Sequence, residues 1–165
     1  MTRQRPRTVL CRDIHDQWHR VPVSRLTGFR PSVYGVVIRN GKVLLSRQWG
    51  GYDFPGGGIE LGETIEHALV REVREETGLR VRVGTFIHIQ NDFFKLPERT
   101  AFVQSILMFY ACSVIGGRLS IRGLDANEKK YADMPEWVDL KKVGKLKFYN
   151  PVDSPAIIRR ATSIR

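Results

Sequence analysis

GGIELGETIEHALVREVREETGL, residues 57–79, is the stretch that determines how the rest of this 165-residue chain is interpreted. Its second half carries apolar residues at spacings of three and four, namely Ile65, Ala68, Leu69 and Val73. This periodicity predicts an amphipathic helix over residues 64–77. Gly78 follows at the position where a left-handed residue commonly ends a helix. The segment therefore predicts one well-delimited helix behind a glycine-containing loop.

Three carboxylates share the polar face of this predicted helix. Glu72, Glu75 and Glu76 stand at spacings that bring them together, opposite the apolar stripe. A merely solvated face would carry Glu–Lys pairs four residues apart, but here Glu72 faces Glu76. Arg71 and Glu75 form a pair in the weaker orientation. We expect a divalent cation, Mg²⁺ or Mn²⁺, to relieve this cluster, because both prefer hard oxygen ligands.

The loop that precedes the helix is rich in glycine. Residues 50–62 contain six glycines, three of them consecutive at Gly56, Gly57 and Gly58. Consecutive glycines are entropically costly, and they usually mark unusual dihedral angles or close approach of the backbone to a ligand. The loop is therefore either a tight turn or a place where a bare carbonyl joins the carboxylates as a metal ligand. The glycines alone leave both interpretations open.

The segments on either side of the loop and helix predict a sheet. Residues 33–48 form two β-branched, apolar runs around Asn40-Gly41, a typical hairpin turn pair. Further strands are predicted at 81–89, 104–114, 118–122 and 136–140, and a last helix at 155–161. This order of elements indicates an α+β or α/β/α layered domain around a mixed β-sheet.

The net charge of +10 lies in the two flanks. Residues 1–30 carry seven Arg against two Asp, and residues 141–165 carry seven basic residues against Asp153, whereas residues 31–140 are near neutral. Basic flanks favour either solubility or an attraction to phosphate-rich ligands. Apolar runs too short to span a bilayer predict no membrane partner. The absence of an apolar segment after the basic N-terminus predicts no secretory signal, so we expect a cytoplasmic protein.

The stretch 57–79 resembles the box of the Nudix hydrolases, G-x5-E-x7-R-E-U-x-E-E-x-G-U, where U is bulky and apolar. Every position of the pattern is filled: Gly57, Glu63, Arg71, Glu72, Val73, Glu75, Glu76, Gly78 and Leu79. The resemblance implies a Nudix α/β/α sandwich. We expect the hydrolase domain to occupy residues 31–165, with residues 1–30 as a basic N-terminal extension packed on it.

By this resemblance, several residues acquire expected roles. Glu72, Glu75, Glu76 and the Gly56 carbonyl resemble metal ligands. Glu63 and Arg71 resemble the pair that fixes the loop to the helix. Glu72 is the first candidate for the general base, and Glu128 is the second, because some family members use a glutamate from a late loop. Base-stacking candidates flank predicted loops near the box: Tyr52, Phe93 and Phe94.

The resemblance implies Mg²⁺- or Mn²⁺-dependent hydrolysis of a phosphate anhydride in a nucleoside diphosphate linked to another group. Candidate substrates are nucleotide sugars, ADP-ribose, damaged nucleoside triphosphates and dinucleoside polyphosphates. The basic flanks keep an RNA 5′-end pyrophosphohydrolase open as an alternative. The other alternative is a catalytically silent nucleotide sensor. The argument against it is that the motif residues are all present: Glu63, Arg71, Glu72, Glu75 and Glu76. We expect a small nucleotide rather than a nucleic acid as the partner, and a homodimer remains open.

Overall fold

The computed structural model describes residues 7–96 and 101–164. In chain order the strands and helices are β1 (Thr8–Arg12), β2 (Trp18–Pro22), β3 (Leu26–Arg39), β4 (Lys42–Gln48), β5 (Gly51–Asp53), β6 (Gly56–Gly58), α1 (Ile65–Thr77), β7 (Leu79–Lys95), β8 (Phe102–Gly117), β9 (Ala132–Asp139) and α2 (Ser154–Ser163). None of the helices in this described part is long and apolar enough to cross a membrane.

Within the described residues the strands form one mixed sheet in the order β2-β1-β7-β8-β3-β4-β5, with β6 paired to β3 and β9 to β4. The central pair, β3 and β8, runs parallel over most of its length, and β7 joins β8 antiparallel. The helices lie on opposite faces. Val33, Leu69 and Val73 pack together on the α1 side, and Val36, Phe109 and Ile157 pack together on the α2 side. The predicted α/β/α layering around a mixed sheet is confirmed.

Local sequence signals fixed several of these elements. The hairpin between β3 and β4 turns at Asn40 and Gly41, both with positive φ, as the turn pair predicts. Helix α2 begins after Asp153, whose carboxylate accepts a hydrogen bond from the Ala156 amide. The strand predicted at 118–122 is wrong, because those residues form an irregular segment after β8. There the Ser120 amide bonds to the carbonyl of Thr77 at the end of α1 rather than to a neighbouring strand.

The N-terminal hairpin, defined as β1 and β2, packs on the edge of the sheet. Its apolar side chains Cys11 and Val21 are buried against Phe102 of β8. Strand β3 begins at Leu26 and runs through residue 30 without interruption. The division of the chain at residue 30 stays a prediction, and residues 1–6 of the extension lie outside the described residues.

Candidate active site

Helix α1 lies as its sequence predicts. Thr64 caps its N-terminus, where the threonine hydroxyl accepts a hydrogen bond from the His67 amide. Gly78 ends it in the left-handed region, with φ of 72°. Leu69 and Val73 are fully buried under the sheet. The helix also contacts the glycine strand β6, where Glu72 lies against Gly57.

Arg71 is the centre of an ion-pair network on this face. Its Nε and Nη2 hold both oxygens of Glu63, at 2.7 and 2.8 Å. Its Nη1 donates to Glu72 at 3.0 Å and to Glu75 at 3.2 Å. The carboxylate face is therefore compensated by one arginine, which corrects the expectation drawn from helix spacing alone. The bonds from Arg71 also hold the pKa of Glu63 down, to about 2.

The same arginine ties the loop to the helix. Its Nη2 donates to the Gly58 carbonyl at 3.1 Å, in addition to its grip on Glu63. The Glu63 carboxylate in turn accepts from the Glu60 amide at 3.0 Å. The structure thus brings Glu63 and Arg71 together in the arrangement expected of the pair that fixes this loop.

Glu76 points into the protein rather than along the surface of α1. Its carboxylate accepts hydrogen bonds from Ser46 Oγ at 2.7 Å, Gln48 Nε2 at 3.0 Å and the Gly56 amide at 3.2 Å. Burial raises its pKa to about 8. Ser46 and Gln48 were not predicted as site residues. Their signal in the sequence is faint: two polar side chains on alternate positions near the end of strand β4, after the apolar run Val43–Leu45.

Glu72 lies directly against the bare backbone of Gly57. A β-carbon built on Gly57 would stand 2.6 Å from the carboxylate carbon of Glu72, so only glycine leaves room for the carboxylate. Burial raises the pKa of Glu72, while the hydrogen bond and charge of Arg71 oppose the rise. The close approach of backbone and carboxylate is what the run of glycines predicted, whichever ligand the loop serves.

One cavity is lined both by two of these carboxylates and by a group of aromatic rings. Glu72, Glu76 and Gly57 line it, as does Arg30, whose guanidinium lies over Gly58. Glu128 also lines it. The Glu128 carboxylate accepts from the Asp125 amide at 2.9 Å, and the Asp125 carboxylate accepts from the Glu128 amide at 2.8 Å. The two residues considered as general base therefore border the same space.

The aromatic part of the cavity lining differs from what the sequence predicted. Phe94 lines it, but Phe93 points to the other face of β7 and packs with the N-terminal hairpin. Tyr52 packs against the core beside α2 and under the guanidinium of Arg47. Neither Phe93 nor Tyr52 is among the residues that line this cavity, and their stacking roles stay predictions. The other rings that line it are Tyr34, Trp49, Phe54, Tyr131 and Tyr149, and three of these, Trp49, Tyr131 and Tyr149, lie together.

These three rings form a stack. The Trp49 ring lies 4.1 Å from Tyr131 and 4.8 Å from Tyr149, centroid to centroid, with interplanar angles of 11° and 26°. Trp49 has φ of 45°, a left-handed conformation that is unfavourable for a bulky residue. It directly precedes Gly50 and Gly51, which let the chain turn there. In the sequence, a tryptophan that follows a strand and precedes two glycines is the pattern that could have indicated this aromatic position.

The carboxylate part of the cavity lining fits a divalent cation. Glu72 offers hard carboxylate oxygens in the cavity wall, and the glycine backbone lies against it; Glu75, joined to Glu72 through Arg71, lies outside the cavity lining. In the described residues, however, no three His, Cys, Asp or Glu side chains already surround one point. Three hydrogen bonds engage these carboxylates instead: Arg71 Nη1 bonds to Glu72 and to Glu75, and Ser46 bonds to Glu76. The ligand set stays a prediction.

Comparison with known proteins identifies the family of this chain. The model of the NUDIX domain matches residues 28–160, so the chain belongs to the Nudix family. A solved NUDIX hydrolase from Nitrosomonas europaea superposes with a TM-score of 0.62 at 18% identity, over 81% of this chain and 87% of that one. That likeness establishes the shared fold.

Two curated relatives are similar in sequence. An ADP-ribose pyrophosphatase from Methanocaldococcus jannaschii is 34% identical over 108 residues, which cover 62% of this chain and 61% of that protein. An RNA pyrophosphohydrolase from Tolumonas auensis is 45% identical over 78 residues, or 44% of each chain. The matched part thus spans less than two thirds of either relative.

Proposed function

We propose that this protein hydrolyses a phosphate anhydride bond in a nucleoside diphosphate linked to another group. The observation that carries the proposal is a cavity lined both by Glu72 and Glu76 and by Phe94, Trp49 and Tyr149. Carboxylates backed by glycine suit a metal-bound diphosphate, and aromatic rings suit a nucleobase. ADP-ribose heads the candidate substrates because one relative bears that activity in its name.

In this proposal Glu72, Glu75, Glu76 and the Gly56 carbonyl hold Mg²⁺ or Mn²⁺. Bound there, the cation supplies charge neutralisation at the phosphate oxygens and a lowered pKa for coordinated water. Water adds to one phosphorus, the bridging P–O bond breaks, and the proton of the water passes to Glu72. Glu128 is the second candidate for this proton transfer. Arg71 and Glu63 keep the loop in place throughout, and Arg30 faces the phosphates.

A second candidate is an RNA 5′-end pyrophosphohydrolase. A groove on the outer face of α1 is bordered by Arg74, Arg118 and Arg122, and by Arg71, which also bonds to Glu72 in the cavity wall. In this candidate function the arginines would contact further phosphates of a longer chain. The name of the Tolumonas auensis relative points the same way. The small-molecule function stands first because residues 31–140 are near neutral overall.

The test is phosphate or nucleotide release over a panel containing ADP-ribose, nucleotide sugars, nucleoside triphosphates, dinucleoside polyphosphates and 5′-triphosphorylated RNA, each with Mg²⁺ and with Mn²⁺. We expect turnover of a small nucleotide whose KM varies little with salt. Release of terminal phosphate from RNA, with binding that weakens by several log units per log unit of salt, would establish the second candidate. A folded protein with no turnover of any compound would overturn both and favour a silent sensor.

Two sets of arginine variants, one at the α1 groove and one in the N-terminal flank, distinguish the two functions further. Under the RNA function, the double variant Arg118→Gln, Arg122→Gln weakens the salt dependence of binding. Removing the charges of Arg3, Arg5 and Arg7 has the same effect; Arg3 and Arg5 lie outside the described residues. Under the small-molecule function, both sets of variants leave KM unchanged. The cytoplasmic location and the homodimer remain predictions.

A further inference from the structure

The N-terminal hairpin lies outside residues 28–160, which the family model matches, but one of its side chains reaches the wall of the cavity. Arg12, at the end of β1, pairs with Phe94 of β7 in parallel register. Only 6% of Arg12 is exposed, so a full positive charge is held inside the protein. Burying an arginine is costly unless its donors are satisfied, and its contacts therefore indicate what the charge does.

Arg12 grips the chain segment that carries Tyr149. Its Nη2 donates to the Tyr149 carbonyl, and its Nη1 donates to Asp16 at 2.6 Å. The other oxygen of Asp16 accepts from Lys147 Nζ at 3.0 Å. The hairpin thus holds residues 147–149 at two points, one buried and one at the surface.

The guanidinium of Arg12 also lies beside two rings of the aromatic wall, by which we mean the cavity-lining rings of Trp49, Phe94, Tyr131 and Tyr149. Its central carbon is 5.8 Å from the Tyr149 ring centroid and 6.0 Å from that of Phe94. Tyr149 stacks on Trp49, whose left-handed backbone persists only where the surroundings hold it. A continuous set of contacts therefore runs from the hairpin through Tyr149 to Trp49.

We propose that Arg12 is a positioning residue for the aromatic wall, so that the N-terminal hairpin is part of the substrate site and sets affinity for the nucleobase. This rests on the proposed function, because it takes the aromatic wall to be where the base binds. Arg12 does not contact the carboxylates of α1 in the structure, so its loss affects binding of the base and leaves the chemical step intact. A merely structural role for Arg12 would instead lower stability without discriminating between ligands.

The experiment compares two ligands that share a diphosphate but differ in the base. ADP and inorganic pyrophosphate are titrated with Mg²⁺ into wild type, Arg12→Ala and Arg12→Lys. We expect Arg12→Ala to weaken ADP binding about tenfold and pyrophosphate less than about twofold, with Arg12→Lys in between because an ammonium group lacks the planar fork. Arg20→Ala is the matched control. It removes the same charge from the same hairpin, where Arg20 makes only an exposed 3.5 Å contact to Thr8.

A second readout needs no ligand. In a Trp18→Phe background, acrylamide quenching of the remaining tryptophans reports access to Trp49, and we expect Arg12→Ala to increase it while Arg20→Ala does not. Should Arg12→Ala fail to fold, Asp16→Asn combined with Lys147→Ala breaks the surface grip and is expected to shift both readouts in the same direction. Unchanged quenching together with an unchanged ADP-to-pyrophosphate ratio would overturn the inference. Absence of turnover over the substrate panel would overturn the proposed function while leaving the quenching result to stand.

Discussion

Arg71 holds both carboxylate oxygens of Glu63, at 2.7 and 2.8 Å, across the gap between helix α1 and the loop before it. Two parallel N–H donors on one planar group match a carboxylate in a way that an ammonium cannot. The same guanidinium bonds to the Gly58 carbonyl. Arg71 therefore joins Glu63 of the loop to the glycine strand β6, which is also held by its pairing with β3.

Replacing Arg71 by lysine is expected to preserve the fold but lower kcat/KM by about tenfold to a hundredfold, because the loop and the catalytic face lose their fixed relation. Arg74→Lys, on the exposed side of the same helix, is the control and is expected to be silent. Steady-state kinetics and thermal melts measure the effect. Wild-type kcat/KM in Arg71→Lys would show that the clamp is dispensable.

Removing a predicted metal ligand is expected to be more severe. Glu75→Gln and Glu76→Gln should each lower activity by about three decades or more in saturating Mg²⁺, since a lost ligand removes several kcal/mol of transition-state stabilisation. Glu66→Gln, in the first turn of α1, is the control. Chelation with EDTA should abolish wild-type activity, and added Mn²⁺ should restore it. A folded double Gln variant with near wild-type turnover contradicts the ligand assignment.

The order of the two general-base candidates can be tested directly. Glu72→Gln is expected to lower kcat by about 10²–10⁴-fold, the usual effect of losing a general base, and Glu128→Gln by less. The reason is position: Glu72 lies against the glycine backbone, whereas Glu128 is engaged with Asp125 at the border of the cavity. Single-turnover measurements isolate the chemical step. The reverse order would assign the base to Glu128.

Acid stability is expected to depend on Asp13 in the turn of the N-terminal hairpin. Its carboxylate bonds to His19 Nε2 at 2.8 Å and accepts from the amides of His15 and Gln17, which lower its pKa to about 2. A carboxyl group whose pKa is lower in the folded than in the unfolded protein stabilises the folded state at pH values above its unfolded-state pKa. This contribution is lost as the pH falls through the folded-state pKa. Asp13→Asn should therefore lower Tm at neutral pH, and the difference from wild type should shrink between about pH 4 and pH 2.

The control for this prediction is Asp139→Asn, since Asp139 also caps a turn by accepting the Lys141 amide. Its effect on Tm is expected to be smaller, because its carboxylate accepts one amide where that of Asp13 accepts two and also bonds to His19. A difference between wild type and Asp13→Asn that grows toward pH 2 would contradict the stated pKa direction.

Local signals explain which parts of this structure the sequence predicted. Thr64, Gly78 and the Asn40-Gly41 pair act on their immediate neighbours, so the helix and the hairpin were placed correctly. The parallel pairing of β3 with β8 has no such signal, because the two strands are far apart in the chain. The expected site residues on α1 followed from one motif. Glu76 turned inward because of Ser46 and Gln48, which only the folded sheet brings close to it.

The aromatic residues show the same limit at the scale of one position. Phe93 and Phe94 are adjacent and chemically identical, and only the pleat of β7 decides which of them reaches the cavity. Without the register of β7 against β8, the sequence cannot assign that choice. Arg12 could not be found by motif either, because it precedes the matched domain and contacts Tyr149 across almost the whole chain.

The parallel pairing of β3 and β8 has a consequence for how the protein folds. Leu26 pairs with Phe102, so about 75 residues must be closed into a loop before the central contact forms. Contacts between distant residues slow folding, because the entropy of closure is lost before the contact is gained. Helix α1 and its glycine loop lie inside that closed segment, whereas Tyr149 lies beyond it. A nascent chain that stops before β8 therefore lacks Tyr131 and Tyr149 and has no complete cavity.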